Sequence, residues 1–167
     1  INNTFYRMPA PSLLERWAQE VPDGFAFTLK APRRITHMKQ LKEVGSDVAE
    51  FTRRAALLGD KLGMLLFQLP PTFRCDLGRL EKFLAIVPRD LRAAFEFRHD
   101  SWLTDPVYEL LAAHGVALCT ADFGDKTTPL RATARHGYFR LRDEDYTPAD
   151  LEQLRADPDV AYAQPDY

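Results

Sequence analysis

Short apolar runs alternate with amphipathic stretches along the whole chain. Phe25 to Lys30 alternates in period two, with Phe25, Phe27 and Leu29 on one face and Ala26, Thr28 and Lys30 on the other. Met64 to Leu69 is a continuous apolar run closed by Pro70-Pro71, the pattern of a strand buried on both faces. Ala93 to Arg98 alternates again, Val116 to Ala121 follows Gly115 and ends at Asp122, and Tyr138 to Arg142 follows His136-Gly137. Ile1 to Tyr6 reads as the tail of a further strand.

Helical spacing fills the intervals. Ser12 is placed as the N-cap of a helix carrying Leu13, Leu14, Trp17 and Ala18, with Glu15 at the capping-box position. Ser46 or Asp47 opens a segment with Val48, Phe51, Ala55 and Leu58, and Asp76 opens one with Leu77, Leu80, Phe83, Leu84 and Val87. Asp105-Pro106 starts a helix stopped by Gly115, and Thr147-Pro148 starts a last one. Strand and helix in strict alternation predict parallel strands joined by right-handed crossovers.

Six strand ends, at Tyr6, Lys30, Gln68, Arg98, Asp122 and Arg142, fall within 167 residues. A (β/α)8 barrel typically takes about 250 residues. The expectation is one α/β domain over residues 1–167: a TIM-type (β/α)8 barrel lacking its first unit and its last strand. A doubly wound open sheet is the competitor, and it would show a Gly-rich phosphate loop after an early strand, which this sequence lacks. The chain opens at Ile1 with neither an initiator Met nor a signal-like segment, which places the natural start upstream.

Composition narrows the class. Apolar types are 46% and charged types 28% of the chain, as in ordinary globular domains, so a disordered chain is excluded. No apolar run approaches the ~18 residues that cross a bilayer. Twenty-two basic against twenty-four acidic side chains give a net charge of −2, which argues against wholesale nucleic-acid binding. Cys75 and Cys119 have neither CxxC nor metal-ligand spacing and read as free thiols of a cytoplasmic protein.

Several blocks together resemble a known family: Ile1-Asn2-Asn3-Thr4-Phe5-Tyr6-Arg7, Lys30-Ala31-Pro32 leading to Ile35-Thr36-His37, Gly59-Asp60-Lys61-Leu62-Gly63, Phe67-Gln68-Leu69-Pro70-Pro71, and Glu96-Phe97-Arg98-His99 with Ser101-Trp102. In order and spacing they are similar to the YecE-like family, also called domain of unknown function 72. The resemblance implies a TIM-barrel fold with a strand and helix before the position of Ile1 and one more strand after the last helix. Val160 to Pro165 departs from the family's closing aromatic-Asn strand. The resemblance brings no activity with it.

The chemistry is therefore read from the residues. Each block ends a predicted strand, and in such barrels loops at the C-terminal strand ends form the site. Period-two alternation points Lys30, Gln68, Glu96, Arg98 and Arg140 to the mouth, with Asn2 and Tyr6 from the first strand and Asp122 from the strand after Gly115. Lys30, Arg98 and Arg140 gather cations suited to a phosphate or carboxylate. A buried ion-pair network with Glu96 and Asp122 is the structural alternative. Glu96, Lys30 and His37 are the expected catalytic set, with Glu96 moving a proton. Asn2, Tyr6, Gln68, Arg98, Trp102, Asp122 and Arg140 are the expected substrate-binding set, with Trp102 and Tyr6 as an aromatic wall. No cofactor or resident metal is expected; a divalent metal on Glu96, His99 and Asp122 is the weaker alternative. The expected partner is a small anionic molecule met by acid–base chemistry. Rival readings are a non-catalytic ligand-binding or scaffold barrel and, through the basic stretch from Arg33 to Lys42, nucleic-acid processing. A membrane is not expected, and a second copy supplying the missing strands is the oligomeric alternative.

Overall fold

The computed structural model describes residues 1–123, 126–140 and 147–156. Its elements are α1 (Asn3–Tyr6), α2 (Pro11–Glu20), β1 (Phe27–Lys30), α3 (Gly45–Ala55), β2 (Leu62–Gln68), α4 (Leu77–Leu84), β3 (Ala93–Glu96), α5 (Asp105–His114), β4 (Ala117–Phe123), β5 (Lys126–Thr127), β6 (Tyr138–Arg140) and α6 (Pro148–Ala156). Strands β1, β2, β3, β4 and β6 lie side by side in that order, all parallel, and the two-residue β5 runs antiparallel to β4 at Asp122 and Phe123.

The expected (β/α)8 barrel is not what forms. The described strands make an open, curled half-barrel, and no pairing joins β1 to β6 among the described residues. The first departure lies at the amino terminus. Ile1 runs along the outer edge of β1, its ammonium donating to the Thr28 carbonyl and its carbonyl accepting from the Lys30 amide. The chain then turns into α1 instead of continuing as a strand. The Thr4 hydroxyl, donor to the Lys30 carbonyl at 2.6 Å, draws that turn over the end of β1.

Pleat parity divides the sheet into two faces. Leu29, Leu65, Phe67, Phe95 and Leu118 point to the helices and join Phe51, Leu80, Phe83, Val107 and Leu111 in the main core. Phe67 sits at its centre, 5.1 Å from the Phe83 ring, 5.4 Å from Phe95 and 6.3 Å from Phe51 between centroids. Such aromatic pairs add about 0.5–1.5 kcal/mol each beyond area burial. The concave face carries Met64, Leu66, Ala94, Ala117, Cys119 and Ala121, a separate apolar cluster on which Ala134 and Tyr138 pack. Gly63 admits the chain entering β1, since a Cβ there would lie 2.9 Å from Ala26 Cβ.

Local start and stop signals are only partly those expected. Asp76 caps α4 by accepting from the Arg79 amide at 3.0 Å, and Gly115 ends α5 in the left-handed region at φ 66°. Ser12 is not a cap: Pro11 takes the first helical position after Ala10. The helix expected from Ser46 or Asp47 begins one residue earlier, at Gly45. Cys75 is half-buried and Cys119 is buried, both as free thiols. No helix among the described residues is long and apolar enough to cross a membrane. Arg142 and Val160 to Pro165 lie outside the described residues.

Candidate functional site

The end of β3 fixes the floor of the site. Glu96 is fully buried on the concave face, and both of its oxygens are occupied. Oε1 receives Gln68 Nε2 at 2.8 Å and Arg98 Nη2 at 2.5 Å, and Oε2 receives Arg140 Nη1 at 2.6 Å. Burial alone pushes the carboxyl up, but Arg140 and Arg98 more than reverse it and hold Glu96 below the usual carboxylate range. Glu96 is therefore an ionised clamp that draws Gln68 from β2, Arg98 from the end of β3 and Arg140 from β6 to one point.

Above this floor opens a cleft of about 530 Å³, lined by Asn2, Phe5, Tyr6, Lys30, His37, Gln68, Leu69, Pro70, Pro71 and Arg98. That volume suits a small ligand. It collects residues from the turn after Ile1, the ends of β1 and β2, the loop after β1 and the exit of β3. Lys30 Nζ stands 4.1 Å from the Phe5 ring centroid, and the His37 ring meets Phe5 edge-on at 4.8 Å. Tyr6 is 71% exposed, so its ring forms the rim.

His37 reaches the cleft through an unusually wide helical turn over Arg34–Met38, in which the Lys39 amide donates to the Arg34 carbonyl five residues back. Such turns are rare and recur at functional sites. Gln40, Leu41 and Glu43 follow with φ of 47°, 67° and 51°, conformations that side chains with a Cβ seldom adopt. Asp47 staples the turn, accepting from Arg34 Nε at 2.8 Å and Lys39 Nζ at 2.7 Å, so it grips both ends at once. Burial and then the charges of Lys30 and Arg33 lower the His37 pKa below its ordinary 6.5, which keeps the imidazole neutral near pH 7. Nδ1 is paired with the Thr36 hydroxyl at 2.8 Å. The remaining ring nitrogen, Nε2, is the one left to exchange a proton in the cleft.

Six of the expected residues line this cleft: Asn2, Tyr6, Lys30, His37, Gln68 and Arg98. Glu96 and Arg140 lie beneath it. Two others are elsewhere. Trp102 is not a wall of the site: it is fully buried in the helix layer, stacked on Phe97 at 5.0 Å with 7° between planes, and its Nε1 donates to the Phe73 carbonyl at 2.7 Å. Asp122 is not at the mouth either. Ala94 pairs with Ala117 and Ala121 with Arg140, so parity puts Ala117, Cys119 and Ala121 on the concave face and Thr120 and Asp122 on the helix side. Treating polar residues as inward fails here because the interior beside Glu96 is filled by small apolar side chains.

The set of Glu96, His99 and Asp122 is likewise not assembled. His99 Nδ1 accepts from the Ser101 amide as a local cap, and no three His, Cys, Asp or Glu side chains are grouped for a metal among the described residues. His136, in the turn before Gly137, is half-buried with Nε2 3.1 Å from the Ala93 carbonyl. Phe5 was missed by the sequence reading. Period two sends it away from Tyr6, whereas a helical turn brings both to the cleft, and the only sequence cue was Asn2, a residue type common before helices.

A parallel sheet backed by helices, with a cleft at its C-terminal strand ends, defines an α/β protein. The chain belongs to the DUF72 family, whose model, described as "Protein of unknown function DUF72", matches residues 1–164. Among curated proteins it is similar to the UPF0759 protein YecE of Escherichia coli K12, 34% identical over 99 residues, covering 59% of this chain and 36% of that protein. It is also similar to the UPF0759 protein YunF of Bacillus subtilis, 31% identical, covering 65% of this chain and 42% of that one. The matched stretch thus spans well under half the length of these relatives. Among solved structures it resembles a DUF72 family protein from Thermotoga maritima, with TM-score 0.71 and 29% identity over 90% of this chain and 67% of the other. A DUF72 family protein from Enterococcus faecalis, at TM-score 0.72 and 21% identity over 92% of this chain and 73% of the other, shares the fold.

Proposed function

We propose that the cleft binds a small anionic metabolite, phosphorylated or carboxylated, and that His37 is the group in position to exchange a proton with it. One observation carries this reading. Lys30 and Arg98 line the same open cleft as a neutral imidazole, and the nearby carboxylate is buried beneath them. Arg98 meets Glu96 through Nη2, and its planar guanidinium is the side-chain type suited to phosphate and carboxylate. Lys30 supplies a point charge over Phe5.

Glu96 has a different role from the proton carrier expected of it. It is fully buried, ionised and occupied at both oxygens, so it positions Arg98 and Gln68 and does not meet the ligand. The same fact favours a second reading, a binding protein without turnover, because the one carboxylate beside the cleft is then withdrawn from acid–base work. Calorimetric titration with inorganic phosphate tests the proposal. The expected result is saturable binding that Lys30→Met weakens by about tenfold or more, as loss of one charge-assisted contact implies. Absence of binding, or binding indifferent to Lys30→Met and His37→Gln, overturns it.

A further inference from the structure

The orientation of a single amide narrows the ligand class. Glu96 is an ionised acceptor, so the Gln68 group facing it must be the donor, Nε2, and the observed 2.8 Å contact is that bond. Flipping the amide would set two acceptor oxygens against each other inside the protein, which costs the bond and adds repulsion. Arg98 on Oε1 and Arg140 on Oε2 keep the carboxylate in place and charged, which locks the amide. Gln68 Oε1 is thereby fixed as the amide's open end. Gln68 lines the cleft, 9% exposed, and no contact to that oxygen occupies it among the described residues.

A cleft built for a bare anion would present only donors. This one presents cations beside a fixed, nearly buried acceptor, Gln68 Oε1. An acceptor that loses water without gaining a donor costs about 1–3 kcal/mol, so a bare anion closing over Gln68 is penalised and a ligand with a suitably placed hydroxyl is not. The rim agrees with this. The rings of Phe5 and Tyr6 and the Pro70-Pro71 face offer apolar surface to the C–H side of a hydroxylated carbon skeleton.

Resting on the anion-site reading above, we infer that the cleft selects phosphorylated polyols and sugars over anions without hydroxyls, with Gln68 Oε1 as the acceptor that makes the distinction.

The test is a calorimetric comparison of ribose 5-phosphate, ethyl phosphate and inorganic phosphate on the wild-type protein, repeated with Gln68→Leu. The expected result is that ribose 5-phosphate binds about tenfold more tightly than ethyl phosphate, the factor one hydrogen bond supplies. Gln68→Leu should erase that preference, bringing the ratio of the two affinities to about one. If all three bind alike, the selectivity inference fails and the anion site stands. If ribose 5-phosphate binds more tightly than ethyl phosphate and Gln68→Leu leaves their ratio unchanged, Gln68 is not the discriminator and the inference fails. If none binds, the anion-site reading fails and this inference with it. The wild-type series decides the selectivity even where the variant is too unstable to titrate.

Discussion

Removing the Glu96 carboxylate is the most demanding perturbation of this architecture. Glu96→Ala strips the counter-charge from Arg140, 7% exposed, and from Arg98, and strips the acceptor from Gln68 Nε2. Breaking a buried pair by deleting one partner typically costs about 3–5 kcal/mol, because the other charge is left desolvated. Against a usual total of about 5–15 kcal/mol this is a large fraction of the stability. For a chain of this size each kcal/mol moves Tm by about 2–4 °C, so a fall of about 6–20 °C is expected. Urea unfolding followed by circular dichroism supplies the free energy, and a thermal scan the Tm. Adding Arg140→Met to Glu96→Leu should recover much of the loss, because two apolar groups replace the pair. The pH dependence carries a sign. The folded pKa of Glu96 lies below its ordinary 4.5, so its contribution is complete above pH 4.5 and fades as pH falls through the lower folded value. The variant should lose that part of the acid sensitivity. A Glu96→Ala protein within about 1 kcal/mol of wild type would refute the buried clamp.

Other consequences separate the site from its support. Trp102→Phe keeps an aromatic on Phe97 but orphans the Phe73 carbonyl, so stability should drop by about 1–3 kcal/mol in urea while phosphate affinity is unchanged. Asp47→Asn weakens the staple on the wide turn. Hydrogen exchange at the Lys39 amide should quicken about fivefold, with little change in Tm, and phosphate binding should weaken. His37 has a lowered folded pKa, so the unfolded chain takes up its proton first and stability should decline as pH falls below 6.5. His37→Asn should flatten that part of the urea midpoint-versus-pH curve. Gly63→Ala pushes a Cβ to 2.9 Å from Ala26 and should lower stability by about 1–3 kcal/mol by the same urea measurement.

The parallel strands and the inward placement of Lys30, Glu96 and Arg98 were legible in the sequence, because aromatic and polar side chains alternate there in period two, and Gln68 stood out as the one polar side chain in the apolar run Met64 to Leu69. Parity failed on β4, where the residues facing the interior are Ala117, Cys119 and Ala121. Their fit against Ala94 is a tertiary fact that no local pattern records. Closure failed as well. Whether Asn3–Tyr6 extends a strand or coils depends on the Thr4 hydroxyl meeting the Lys30 carbonyl, 26 residues away. Trp102 misled because an indole near a helix start looks alike whether its N–H meets a ligand or, as here, the Phe73 carbonyl. The role of Glu96 was out of reach for the same reason: whether a carboxylate is a base or a clamp depends on how many cations surround it in space.

The imidazole of His37 reports on the cleft directly, and sulfate is a probe whose charge is constant across its titration. Nuclear magnetic resonance of the His37 ring, followed against pH with and without sulfate, should show a pKa below 6.5 that climbs as the anion binds beside Lys30 and Arg98. A ring whose titration does not move with about 10 mM sulfate, tenfold above a 1 mM dissociation constant, would contradict the assignment of this cleft to an anion.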